Sequence, residues 1–260
     1  MPELVAPVKG TRPEGAVNET DASTKVREMF SRIAPRYDLL NHLLSLQLDR
    51  LWRARAARHL RPILSRTDAL VLDLCCGTGD LAFSLARSGK AHIVGADFAH
   101  TMLVRAKEKS AALAEDASGY AAIALPFFEA DAMSLPFAEA SFDLVATAFG
   151  FRNLSNYEGG LREIQRVLKP GGTIAILEFT EPPDGLLGDL YRWYFCKVLP
   201  KIGGIISGDF AAYSYLPKSV ARFFRPPELA SLIAAVGYQS VDYRTWTLGT
   251  VALHTAVRAK

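Results

Sequence analysis

Val71-Leu72-Asp73-Leu74-Cys75-Cys76-Gly77-Thr78-Gly79-Asp80 decides how the rest of the chain is read. From Ala69 to Cys75 every residue except Asp73 is apolar, which suits a strand buried on both faces of a parallel sheet. Gly77 and Gly79 carry no Cβ, so the backbone can turn sharply and come close to a ligand. Leu81, Phe83, Leu85 and Ala86 continue as a helix that stops at Ser88-Gly89. Strand, glycine turn and helix N-terminus together make a nucleotide-type pocket at the carboxyl end of a strand.

The next segment narrows the ligand. Ala91 to Asp97 reads as a second strand ending in an acid, 18 positions after Gly79, near the spacing at which a carboxylate accepts from a ribose diol. The turn has no third glycine of the dinucleotide pattern and no P-loop lysine. It therefore suits a nucleoside without pyrophosphate, S-adenosylmethionine (SAM) before NAD.

Outward from this core, strand and helix alternate. Thr101–Glu115 reads as a helix with Met102, Leu103 and Ala106 inward and Lys107 and Lys109 exposed. Ala122–Glu129 is a third strand, followed by Ala130-Asp131-Ala132, and Ser141–Ala148 is a fourth. Ser155 and Glu158 have the spacing of a capping box for a helix carrying Leu161, Ile164, Val167 and Leu168. Thr173–Phe179 is a fifth strand, and Tyr238–Thr245 with Thr250–Arg258 form a final antiparallel pair. The expected fold is α/β: a Rossmann-like, seven-stranded, mostly parallel sheet with helices on both faces and an N-terminal helical cap.

Residues 1–22 are rich in Pro, Gly and charge and read as a disordered tail; residues 23–260 read as one domain. Within it, 23–66 is the helical cap and 182–225 an apolar lid or insert. Leu186–Ile206 is too apolar for an ordinary surface helix. It is core, a lid, or an interface with a second copy of the chain in a homodimer. Arg50, Arg53, Arg55, Arg58 and Arg61 form either a solvated helix face or a contact for an anionic membrane surface.

Bulk composition bounds the partners. The 260 residues carry 30 basic and 27 acidic side chains, a net charge of +3 that implies no nucleic acid. Cys75, Cys76 and Cys196 lack metal-ligand spacing and fit a reducing compartment. The expected location is cytoplasmic, because residues 1–24 lack the apolar core of a signal peptide and no apolar run reaches the roughly 18 residues of a membrane span.

Three further stretches carry a closer likeness: Val26–Asn41, with Ala34-Pro35-Arg36-Tyr37-Asp38; Phe149-Gly150-Phe151-Arg152-Asn153, with Arg162–Glu178 behind it; and Val251-Ala252-Leu253-His254. On these the chain resembles the ubiquinone/menaquinone biosynthesis C-methyltransferases, within the class I SAM-dependent methyltransferases. The likeness runs from about residue 24 to 258. It implies SAM contacts at Thr78, Asp97, Asp131 and Ala132, to which the turn itself adds Asp73, Gly77 and Gly79. Two departures stand out: Cys75 replaces the small residue, often Gly, that opens the turn, and Ala148 stands where some members have Ser.

The resemblance implies C-methylation of a reduced quinone ring bearing a polyprenyl tail, with menaquinol favoured and the ubiquinol branch open. It implies no metal. Such a ring carbon becomes nucleophilic when a ring hydroxyl loses its proton, so the site must stabilise a phenolate. Arg152 carries a permanent charge for that purpose, Tyr37 can hydrogen-bond the ring oxygen, and Asn153 can orient Arg152. His254 is the titratable base in reserve. A tail of that kind calls for peripheral contact with the inner face of a membrane. Another small-molecule SAM methyltransferase, on a sterol or a phenol oxygen, and a non-catalytic SAM-binding scaffold remain the alternatives.

Overall fold

β1, Leu70–Leu74, shows why the sheet is buried on both sides. Leu72 and Leu74 enter a core cluster with Phe142, Val145, Ile174 and Ile176. Val71, one residue out of phase, enters the opposite cluster with Leu85, Ile93, Leu144 and Leu253. The computed structural model describes residues 10–115, 125–182, 185–207 and 209–260. After β1 come β2 (His92–Asp97), β3 (Phe127–Glu129), β4 (Phe142–Ala148), β5 (Leu168–Phe179), β6 (Tyr238–Trp246) and β7 (Val251–Arg258). They form one seven-stranded sheet in the order β3-β2-β1-β4-β5-β7-β6. β1 to β5 pair in parallel, and β7 runs antiparallel to both β5 and β6. The expected α/β architecture is therefore the observed one.

The helices are α1 (Glu19–Ile33), α2 (Tyr37–Leu44), α3 (Leu48–His59), α4 (Arg61–Leu64), α5 (Asp80–Ala86), α6 (His100–Glu115), α7 (Tyr157–Val167), α8 (Leu186–Trp193), α9 (Leu199–Ser207), α10 (Phe210–Ala221) and α11 (Pro226–Ala235). A short π-helical turn, Tyr194–Val198, joins α8 to α9. A third apolar cluster lies away from the sheet core. Met29 and Ile33 of α1 meet Met102 of α6, Phe195, Leu199 of α9, and Ala212 and Val220 of α10. The N-terminal cap and the 185–221 segment thus pack on each other over the carboxyl edge of the sheet.

Several local expectations shift. Of the tail expected over 1–22, residues 1–9 lie outside the described residues; Gly10 and Thr11 are buried and α1 already begins at Glu19. Asn18 starts α1 by accepting from the Asp21 N–H, a cap the low apolar content of the segment concealed. The third strand spans Phe127–Glu129, and residues 116–124 are outside the description. The cap of α7 is Asn156, not Ser155: its side chain accepts from the Gly159 N–H, while Glu158 pairs with Arg162. Arg53 is turned inward and buried, unlike the exposed Arg50, Arg55, Arg58 and Arg61. Lys109 is only half exposed, because three side chains of the site hold it.

Candidate active site

At the carboxyl edge the backbone itself is unusual. Gly77 and Gly79 have φ of 54° and 85°, left-handed values that glycine adopts without strain. Cys75 and Phe149, at the ends of β1 and β4, also have positive φ, 55° and 60°, where a side chain is costly. A Cβ on Gly150 would lie 2.4 Å from the Cys75 Cβ, so the β4 loop reaches Cys75 only because residue 150 is glycine. These loops border a cavity of about 310 Å³. Its wall holds Asp73, Gly77, Thr78, Asp97, Asp131 and Ala132 at one end and Tyr37, Arg152, Phe179, Phe195 and Leu199 towards the cap.

The turn is anchored by acids. Asp97 is buried; its Oδ2 accepts from the Gly77 N–H at 2.8 Å and its Oδ1 from the Ala99 N–H at 2.8 Å. Burial pushes its pKa up to about 6, with the backbone N–H groups pulling the other way. Asp73 accepts from the Ala82 N–H at 2.8 Å through Oδ2, while Oδ1 is buried without a hydrogen-bond partner. Burial raises its pKa well above the usual carboxylate range. An orphaned carboxylate oxygen on the wall of a cavity is the kind of atom an ammonium group satisfies. Asp131 lies beyond β3, accepts from the Met133 N–H through Oδ1 and lines the same cavity. These residues suit SAM: a carboxylate for a ribose, an acid for an amino-acid end, and a turn without a phosphate-binding lysine.

Beside the turn lies a charge network that sequence reading missed. Thr78 Oγ1 donates to Asp38 at 2.5 Å, and Lys109 Nζ reaches Asp38 at 3.0 Å, Thr78 at 3.2 Å and Asp80 at 2.5 Å. Arg53 Nη2 donates to Asp49 at 2.5 Å and Asp80 at 3.0 Å, and His42 meets Asp49 at 2.7 Å. The network ties α2 and α3 of the cap to α5 and α6. His42, Asp49 and Asp80 bring three ligand-type atoms within 4.8 Å, but the Arg53 guanidinium already sits on both carboxylates. Helical spacing alone does not reveal that these charges face inward.

Arg152 is buried just beyond β4, in a 3-10 turn over Phe151–Asn153. Its Nη1 donates to the Phe149 carbonyl and to Glu178 Oε1 at 2.8 Å, and Nε donates to Ser219 Oγ at 3.3 Å. Glu178, at the end of β5, also accepts from the Arg152 and Phe179 N–H groups. Burial works against the guanidinium, but Glu178 and the nearby Tyr215 and Tyr37 outweigh it and hold its pKa above the ordinary arginine value. Glu178 pairs with Arg152 directly, while Asn153 donates to the Phe149 carbonyl, the oxygen that Arg152 Nη1 also donates to, and accepts from Tyr215. The only hint in the sequence was an acid closing the apolar strand Thr173–Phe179.

Tyr37 opens α2 and lies over the turn, its ring 3.9 Å from where a Gly77 Cβ would be. Loss of solvent raises its pKa, against the pull of Arg152, so the phenol stays a donor. His254 is not brought to this site. It is buried on β7, donates from Nε2 to the Pro226 carbonyl at 2.9 Å, and is absent from the cavity wall. Burial lowers its pKa, and its Nδ1 has no partner. The histidine chosen on chemistry alone is separated from Arg152 and Tyr37 by strand position.

A sheet in this order, with an antiparallel last strand and a ribose-type acid after a lysine-free glycine turn, defines a class I SAM-dependent methyltransferase. A SAM-dependent methyltransferase from Thermotoga maritima has the same fold, with TM-score 0.59 at 17% identity, over 89% of this chain and 99% of that one. Residues 18–258 match the ubiE/COQ5 methyltransferase family, and the chain belongs to that family. A demethylmenaquinone methyltransferase of Thermus thermophilus is 49% identical over 88% of this chain and all of its own. One of Deinococcus radiodurans is 44% identical over 91% of this chain and 93% of its own.

Proposed function

We propose that this enzyme methylates a ring carbon of demethylmenaquinol, a reduced naphthoquinone with a polyprenyl tail, and that Arg152 and Tyr37 hold the reacting ring oxygen. The observation carrying this reading is a single cavity that joins the glycine turn, Arg152 and Tyr37 to an apolar wall of Phe30, Ile33, Phe179, Tyr191, Phe195 and Leu199. The names of the Thermus and Deinococcus relatives support the same substrate.

When bound, SAM supplies an electrophilic methyl group. In this reading Asp97 accepts the ribose hydroxyls, Asp131 and Ala132 meet the adenine, and Thr78 with Asp73 meets the amino-acid end. The cap and the aromatic wall would exclude water and hold the ring carbon against the methyl donor. The Phe149 carbonyl, Glu178 and Ser219 take up Nη1 and Nε of Arg152, leaving Nη2 to donate to the ring oxygen as its proton departs. Tyr37 donates to the same oxygen. The bound cofactor would supply the methyl for a new carbon–carbon bond to the ring, and the ring hydrogen would be lost as a proton to bulk solvent, which restores aromaticity. Incubation with SAM and demethylmenaquinol, with the demethylated benzoquinol as competitor, tests the assignment. Methylation of the benzoquinol alone, or of an oxygen, overturns it.

The pKa of Asp97 yields a pH dependence. The ribose hydroxyls donate to the ionised carboxylate, so SAM affinity is flat well above pH 6 and falls, approaching tenfold per unit, below it. The effect on the free protein has the opposite sign. A carboxyl raised above its unfolded value favours folding below that value, and the contribution is lost as pH rises through about 6. Calorimetric titration with SAM between pH 5 and 8 checks this; Asp97→Asn flattens the profile if the assignment holds.

The same reading places the enzyme in the cytoplasm, against the inner face of the membrane. No helix of the described residues is long and apolar enough to cross a bilayer. Yet Leu39, Leu190, Trp193 and Phe210 are 57–62% exposed on α2, α8 and α10. Lys197 and Lys201 are exposed beside them. Leu46, 73% exposed, also lines the cavity. Each buried CH₂ of a tail contributes about 0.8 kcal/mol, so the quinol stays in lipid and the enzyme must come to it. Wild type is expected to float with vesicles containing anionic lipid. Trp193→Asp should float poorly and turn over a long-tailed quinol in vesicles about tenfold more slowly. A wild type that never floats, with a variant working at full rate, sinks the surface assignment.

A further inference from the structure

The segment ahead of α1 does not hang free. The Thr11 N–H donates to the Leu154 carbonyl at 2.7 Å, and Arg12 Nη1 donates to the Ser155 carbonyl at 2.9 Å. Gly10 is pressed so closely on this loop that a Cβ there would lie 2.0 Å from the Ser155 carbonyl oxygen. On its other side the segment is held by α10 and the residue that follows it: Arg222 donates to the Arg12 carbonyl at 3.3 Å, and Lys218 pairs with Glu14 at 3.3 Å. Residues 10–12 therefore bridge the loop that carries Arg152 and the helix that carries Tyr215. The family match begins only at residue 18.

One side-chain bond passes from this bridge into the site. Thr11 Oγ1 and Tyr215 Oη are 2.8 Å apart, and Tyr215 donates its single hydroxyl proton to Asn153 Oδ1 at 3.0 Å. The Thr11 hydroxyl is therefore the donor to Tyr215. With Oδ1 of Asn153 taken up, its Nδ2 faces the Phe149 carbonyl at 3.5 Å, the same oxygen that Arg152 Nη1 donates to. Thr11 and Tyr215 are thus connected to the acceptor on which the Arg152 guanidinium rests. Thr11 is 7% exposed, so this hydroxyl is largely shielded from solvent that would otherwise compete for it.

We propose that Gly10–Arg12 is a strap that positions Arg152 for catalysis, with Thr11 acting through Tyr215 and Asn153 as a positioning residue. The proposal rests on the reading that Arg152 holds the ring oxygen. Without the Thr11 hydroxyl, the Tyr215 oxygen loses the donor that fixes its position and polarises its own bond to Asn153, so the Asn153 amide, one of the donors to the Phe149 carbonyl, is held less tightly. Arg152 then holds its place less well, and a small misplacement of a group aimed at a developing charge is costly in rate. SAM binding, at the other end of the cavity, does not depend on this chain of bonds.

The test uses the full-length protein with SAM and a demethylmenaquinol, and compares Thr11→Val, Thr11→Ser, Gly10→Ala and Arg152→Lys. Thr11→Val, which keeps the shape and removes the hydroxyl, should lower kcat about tenfold while the calorimetric SAM affinity stays at the wild-type value. Thr11→Ser should restore kcat, and Gly10→Ala should lower it as Thr11→Val does. Thr11→Val with wild-type kcat overturns the strap, as does a Thr11→Ser protein no faster than Thr11→Val. A SAM affinity that weakens in step with kcat also overturns it, because the effect is then general to the fold. Should Gly10→Ala not fold, the Thr11 pair decides alone. Slow Arg152→Lys beside fast Thr11→Val sinks the strap and leaves the role of Arg152 standing; fast Arg152→Lys sinks both.

Discussion

Arg152→Lys is expected to bind SAM as tightly as the wild type and to turn over its quinol about a hundredfold to a thousandfold more slowly, the usual loss on removing a donor aimed at a developing oxyanion. The planar guanidinium serves four directions at once. Nη1 donates to the Phe149 carbonyl and Glu178, Nε to Ser219, and Nη2 is the nitrogen proposed to face the ring oxygen. An ammonium keeps the charge and its pairing with Glu178, but its three donors radiate from one atom and cannot span these acceptors and the ring oxygen. Keeping the pair also protects the fold. Removing one partner of a buried ion pair typically costs about 3–5 kcal/mol, and Glu178 is 1% exposed. Glu178→Gln should therefore unfold at a lower temperature than Arg152→Lys. Single-turnover rates beside calorimetric SAM affinities check the prediction. Wild-type turnover in Arg152→Lys removes this residue from the mechanism.

Asp97→Ala is expected to weaken SAM binding on the order of a hundredfold or more. A charge-assisted hydrogen bond contributes about 1.5–3 kcal/mol, and two to a ribose diol reach that loss at the low end of the range. The carboxylate has a second task, since it holds the Gly77 N–H from Oδ2 and the Ala99 N–H from Oδ1. Alanine therefore frees the turn as well as removing the ligand contact. Asp97→Asn keeps an acceptor and can hold one of the two N–H groups, so its loss should be intermediate. Calorimetry showing unchanged SAM affinity in Asp97→Ala ends the ribose assignment.

The comparison of sequence and structure divides along the range of the interactions. The strand at Leu70–Leu74, the turn and Asp97 were legible because each depends on neighbours in the chain: an apolar run, two glycines at fixed spacing, an acid at a strand end. The final antiparallel pair was legible for the same reason, from two runs, Tyr238–Thr245 and Thr250–Arg258, separated by only four residues. Where local signals competed, the reading slipped. Ser155 and Asn156 are both good capping residues, and backbone geometry rather than composition gave the role to Asn156. The Pro- and Gly-rich start of the chain has no periodicity, yet Gly10–Arg12 is held by loop carbonyls and side chains more than a hundred positions away.

Taken by itself, the sequence determined the sheet, the cofactor pocket and the candidacy of Arg152 and Tyr37, because backbone preferences and short spacings express these directly. Tertiary structure alone decided which charges meet. Lys109 and Arg53 are ordinary helix-surface residues by periodicity, and they become part of the site only because α3, α5 and α6 converge on Asp80. Glu178 holds Arg152 because β5 lies beside β4. His254 has suitable chemistry but sits on β7, two strands from β4 in the sheet, under the start of α11. A buried ion pair or hydrogen bond has value only at contact distance, and which residues reach that distance is a property of the packed sheet and helices, not of any stretch of chain.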